Sequence, residues 1–209
     1  MLPDLHTLLI FMSAALALNV TPGPDMLYVA GRSAADGRTA GIAAALGIGA
    51  GTLFHIAAVA LGLVALLAAV PIAYTALRLT GAAYLVYLGL RALRRPGGLA
   101  ERTLAPASRL AAFRQGALTN VLNPKVALFF LAFLPQFVDP ARGSAAGQVI
   151  ALGLLFDASG TLVNLAVAVG ASRGVEGLRR NRRAASLLQR ATGVLFIALG
   201  VRLAVAGRR

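Results

Sequence analysis

Thr21-Pro22-Gly23-Pro24-Asp25 interrupts an apolar run, Leu8 to Ala30, that is otherwise fit to cross a membrane. No ordinary helix continues through it. Pro22 and Pro24 have no N–H, so the carbonyls of Leu18 and Val20 lose their i−4 donors. Gly23 between them opens backbone angles closed to other residues. Within lipid such a break survives only where protein buries it or where it lines a polar cavity. Asp25 follows at once, and an ionised carboxylate at membrane depth costs roughly 3 kcal/mol unless it is paired. Broken helix, freed carbonyls and charge therefore coincide, which is the pattern of half a transport site.

The rest of the chain supports a lipid bilayer as its partner. Of 209 residues, 58% are hydrophobic and only 13% charged, where a soluble domain is nearer half apolar and a quarter charged. The charges avoid the apolar blocks. A net charge of +13 would fit a nucleic-acid binder, but the arginines stand in short loops between apolar stretches rather than along one soluble face, so no nucleic-acid partner is expected. With no Cys there is no disulfide, thiolate metal site or thiol relay. Residues 1–7 lack Lys and Arg and the first apolar run outlasts a signal h-region, so a cleaved signal peptide is not expected.

Six apolar stretches follow one another, about Leu5–Ala30, Ala40–Val70, Pro71–Leu93, Phe113–Val138, Ala145–Ala171 and Leu187–Ala206. Gly31 to Arg38 reads as a short basic turn, 94–112 as a cytoplasmic linker, and Gly174 to Arg190 as a second Arg-rich loop. The fourth stretch is broken like the first, by Asn123-Pro124-Lys125, with Pro135-Gln136 marking a kink beyond it. Gly47 and Gly51 at GxxxG spacing permit close approach of another backbone, for packing within the chain or for a homodimer contact.

The halves, about 1–93 and 113–209, repeat. Gly51-Thr52-Leu53-Phe54-His55 matches Gly160-Thr161-Leu162-Val163-Asn164; Thr80-Gly81 with Leu88-Gly89 matches Thr192-Gly193 with Leu199-Gly200; Asn19-Val20 matches Asn120-Val121. An odd number of helices per repeat inverts the second half. The expected fold is thus an all-α membrane protein of six transmembrane helices, two inverted three-helix repeats with proline-broken helices 1 and 4, forming one transporter domain over 1–209. Arginines concentrate after the first, third and fifth stretches, which puts those loops in the cytoplasm and both termini outside.

The chemistry-bearing residues are few. Thr21, Pro22, Gly23, Pro24 and Asp25 at one break and Asn123, Pro124 and Lys125 at the other are candidates for substrate binding or gating. Asp25 and Lys125 suit the two charges of a zwitterion; alternatively they form a fixed ion pair that locks the broken helices. Asp157, a lone acid deep in the fifth stretch, and His55 are candidates for proton or ion coupling, each with a packed-core reading beside it. Asn19, Asn120, Asn123 and Asn164 are polar candidates for substrate contact or for donating to carbonyls that the prolines free. No hydrolase, P-loop or dinucleotide fingerprint occurs, so neither an enzyme nor a cofactor is expected. A metal-cation exporter using Asp25, His55 and Asp157 is the competing reading, but these lack metal-ligand spacing, Lys125 would repel a cation, and no resident metal is expected.

Thr21-Pro22-Gly23-Pro24, Asn123-Pro124-Lys125 and Phe133-Leu134-Pro135-Gln136-Phe137 resemble the signature segments of the LysE/RhtB family of amino-acid exporters, and the resemblance runs over essentially the whole chain. It implies efflux of small amino acids or close analogues across the inner membrane, driven by the proton or electrical gradient. Neutral or hydroxylated side chains are expected over basic ones.

Overall fold

The computed structural model describes residues 3–69, 79, 82, 83, 86, 87, 89, 90, 93, 94, 106–170 and 182–205. The third apolar stretch is thus represented by scattered residues and pairs, and most of the expected linker and of the second Arg-rich loop lie outside the described residues. Everything regular among the described residues is helical, with no strand.

Asp4 opens α1 (Leu5–Val20) as its N-cap, accepting from the Thr7 N–H at 3.0 Å and from the Thr7 hydroxyl at 3.0 Å. Those bonds, the backbone one first, hold its carboxyl below the ordinary carboxylate range. The helix stops at the break, and α2 (Pro24–Asp36) restarts with Pro24 at its first position, bent by 45° from α1. The expected basic turn is shorter than its composition implies. Nothing between Gly31 and Asp36 breaks a helix, so α2 runs on until Gly37, whose φ of 86° reverses the chain. Arg32 is therefore a buried helical residue rather than a loop charge.

The second stretch is α3 (Arg38–Ala69) and the fifth is α6 (Ala145–Gly170). Between them, α4 (Arg109–Val121) starts four residues before the expected Phe113, because Ser108 caps it by accepting from the Ala111 N–H at 3.2 Å. The second break separates α4 from α5 (Pro124–Leu128), and the segment Pro124–Phe137 as a whole is again bent by 45° from α4. Beyond α5 the helix widens into a π-type turn over Phe129–Phe133 and tightens into a 3-10 turn over Leu134–Phe137 around Pro135. The wide turn brings Phe129, Phe130 and Phe133 together into the core with Phe11 and Phe156, the Phe129 and Phe156 rings stacking at 4.7 Å. Finally α7 (Arg182–Val205) begins five residues before the expected Leu187, so the end of the expected second Arg-rich loop is helical.

Among the described residues two helices are singly long and apolar enough to span a membrane, Arg38–Gly62 and Ala145–Gly170, and counting each bent pair as one span raises the candidates to four. Leu46, Leu53, Phe54 and Leu61 on α3 and Leu154 and Leu162 on α6 are exposed, as lipid-facing residues are. The opposite face of α3 is small. A Cβ on Gly47 would strike the Phe113 carbonyl, and one on Gly51 would come within 2.6 Å of the Ala117 carbonyl. The GxxxG spacing is thus used inside the chain, to bring α4 against α3.

Candidate functional site

Among the described residues no salt bridge joins Asp25 to Lys125. Lys125 Nζ instead donates to the Leu18 carbonyl at 3.0 Å and to the Thr21 carbonyl at 3.1 Å, and lies beside Gly23, where a Cβ would meet it at 3.0 Å. The Leu18 carbonyl is the one Pro22 leaves without its helical donor, so the cation of the second break satisfies the first. His55 performs the matching task. Its Nε2–H donates to the Asn120 carbonyl at 3.1 Å, the group that Pro124 frees, while its ring stacks on Phe130 at 5.9 Å. These donations, expected of the asparagines, come from Lys125 and His55.

The asparagines tie helices together instead. Asn19 Nδ2 reaches α6, donating to the Ser159 hydroxyl at 2.9 Å and the Phe156 carbonyl at 3.2 Å. Asn120 Nδ2 donates to Asp25 Oδ2 at 2.9 Å, and Asn120 Oδ1 accepts from Thr52 of α3 at 3.3 Å. Asn123 caps α5 through its Oδ1, 3.0 Å from the Lys125 N–H, while its buried Nδ2 has no partner. Thr21 closes α1 by donating its hydroxyl to the Ala17 carbonyl.

Asp25 is only 8% exposed and its Oδ1 is buried without a hydrogen-bond partner. It reaches a cavity of ≈ 20 Å³ whose polar wall is completed by Asn19, Thr52, Asn120, Asp157, Thr161 and Asn164. Asp157 accepts a long bond, 3.4 Å, from Thr161 one turn along its own helix, is also within reach of the Thr52 hydroxyl, and faces α3 at Gly49, where a Cβ would stand 3.4 Å from its carboxylate. The structure thus gathers Asp25, Asp157, Asn19, Asn120 and Asn164 around one cavity and leaves Lys125, Asn123 and His55 outside its wall. Among the described residues no three His, Cys, Asp or Glu side chains form a metal-ligand group.

Sequence reasoning passed over Thr52 and Thr161, although the Gly-Thr repeat contained both. It also passed over a second polar cluster on α2 and α4. Buried Arg32 binds Asp36 at 2.6 Å, and Tyr28 donates to the Ala112 carbonyl at 3.0 Å and to Gln115 at 3.1 Å. Arg32 one turn from Asp36 was the available signal.

A helical membrane protein with two proline-broken helices around a buried, acid-lined cavity is the class these features define. The chain belongs to the LysE type translocator family, whose profile matches residues 16–207. It is 34% identical over 195 residues to an uncharacterized membrane protein of Pseudomonas aeruginosa, covering 88% of each chain. It is 29% identical to the homoserine/homoserine lactone efflux protein of Salmonella typhimurium, covering 94% of this chain and 95% of that one. A leucine efflux protein of Salmonella typhimurium is 30% identical over 133 residues, 62% of each chain. No solved structure matches the chain.

Proposed function

We propose that this protein is a secondary active exporter of small amino acids or close analogues across the inner membrane, driven by the proton or electrical gradient. The observation that carries the reading is the cavity at the paired breaks, where buried carboxylate and amide groups face a space that lipid-facing helices enclose. Membership of a family with amino-acid efflux proteins among its relatives agrees with it. Homoserine, its lactone and leucine share an α-amino group, whereas the lactone has its carboxyl tied up as an ester.

Six spans in two inverted repeats remain the reading of the whole chain, and two sets of contacts support it. Asn19 of the first half packs on Gly160, and Asn120 of the second half packs on Gly51, so equivalent residues meet crosswise. A Cβ on Gly89 would meet the Gly193 carbonyl and Ile197; one on Gly200 would meet the Ala82 carbonyl and Val86. Ala82, Val86 and Gly89 stand in the same spacing as Gly193, Ile197 and Gly200, as a two-fold relation between the halves requires. The Arg-rich loops face the cytoplasm in this reading and both termini face outward.

Expression in an export-deficient host fed dipeptides tests the function. The intracellular pool of one amino acid should fall. Unchanged amino-acid pools with raised metal tolerance would favour the metal exporter instead.

A further inference from the structure

The cavity holds more hydrogen-bond acceptors than the protein uses. Asp25 Oδ1 is buried and unpartnered, Asp157 receives only hydroxyls, from Thr161 at 3.4 Å and from Thr52, and Asn164, 8% exposed, lines the same wall. The chain's own nearby ammonium makes no hydrogen bond to them: Lys125 Nζ donates to the carbonyls of Leu18 and Thr21 and reaches Asp25 only through its charge. A buried carboxylate oxygen left in this state is costly, and a cationic donor relieves the cost.

We propose that this cavity is the subsite for the α-ammonium group of the exported molecule, held by Asp25, Asp157 and the amide oxygen of Asn164; this rests on the amino-acid export reading. An ammonium presents three N–H donors and no acceptor, which matches three acceptors offered from α2 and α6. Size agrees with charge. A space of ≈ 20 Å³ takes one group about as large as water, which is the size of an ammonium head and far below that of a whole amino acid. The rest of the substrate then requires the broken helices to separate. Recognition by the ammonium also explains how one site would accept an amino acid and its lactone, because the carboxylate is not what the site holds.

The full chain in proteoliposomes is assayed for counterflow of labelled L-homoserine and L-leucine, with homoserine lactone and 4-hydroxybutanoate as competitors. The lactone keeps the ammonium and lacks a carboxylate; 4-hydroxybutanoate does the reverse. In detergent, the melting shift given by each compound reads binding without transport. The lactone should compete and raise the melting midpoint, and 4-hydroxybutanoate should do neither, a comparison that needs no variant. Asp25→Asn and Asp157→Asn should each raise the half-competing lactone concentration roughly tenfold or more. Counterflow inhibited equally by 4-hydroxybutanoate, or lactone competition unchanged in both variants, would overturn the subsite and leave export standing. Absent counterflow of both amino acids, with a lactone-induced melting shift that Asp157→Asn removes, would overturn export and keep the subsite. Absence of both signals would overturn the two together.

Discussion

Lys125 and Asp25 follow equivalent prolines, yet they spend their charges differently. Lys125 repairs the backbone of the other broken helix, whereas Asp25 is tied by one oxygen to Asn120 and keeps the other buried without a partner. Lys125→Met should therefore lower stability by about 1.5–3 kcal/mol, the worth of hydrogen bonds from a charged donor, while Lys125→Arg restores most of it; melting curves in detergent measure both. Exchanging the two charges should not rescue folding, because an aspartate at 125 cannot donate to the Leu18 and Thr21 carbonyls. A well-folded exchange variant would mean that those bonds contribute little. Arg32 belongs to the same scale. Arg32→Ala leaves Asp36 in a largely buried position and should cost about 3 kcal/mol, with Arg32→Met plus Asp36→Leu costing less than the single change. The breaks and their charges were legible in the sequence, since proline and intramembrane charge announce themselves locally. The partners were not. Asn120 lies 95 residues from Asp25 and His55 lies 65 from Asn120, and no periodicity links them.

Helix boundaries were legible wherever a cap or breaker marks them and drifted wherever composition stood in for one. Asp36 and Arg32 made Gly31–Arg38 read as a turn, although only Gly37 has the backbone to make one. Pro135 marks a disturbance beyond the second break but not its form, a π-type turn at Phe129–Phe133 whose three phenylalanines are buried with Phe11 and Phe156. Glycine contacts decide how closely the helices approach. At Gly51 a Cβ would stand 2.6 Å from the Ala117 carbonyl and 2.8 Å from Asn120 Cβ, with backbone and a fixed side chain that cannot yield cheaply. Gly51→Leu should cost about 1–3 kcal/mol by overpacking and pull Asn120 from Asp25 as well, so export should fall more than stability. The crosswise glycines give a sharper expectation. Gly89→Leu and Gly200→Leu meet equivalent atoms, and their melting shifts should agree closely; a large loss from one and none from the other would speak against the two-fold relation.

At the scale of the molecule, the described contacts sort the helix ends into two sets. Asp36 accepts from the Ala107 N–H at 3.4 Å and Ser33 donates to the Ala168 carbonyl at 3.0 Å, which gathers the ends of α2 and α6 with the segment before α4. Asp4 lies 3.8 Å from Arg142, which pairs with Asp139 at 3.3 Å, so the start of α1 and the link before α6 share the other end. The cavity lies between these ends and is too small for a whole amino acid, so the proposed export requires the arrangement to open toward each set in turn. Because the chain has no cysteine, single cysteines report each place without background. Thr39→Cys, exposed at the first end, should react with an impermeant maleimide only in inside-out vesicles, and Ala141→Cys, exposed at the other, only in intact spheroplasts. Labelling of both from one side would contradict the placement of the two sets on opposite faces, and the reverse pattern would invert the orientation. Thr52→Cys, on the cavity wall and 3% exposed, should react slowly with a small reagent until transport begins and faster during it. Rapid labelling of Thr52→Cys at rest would show that the cavity already stands open.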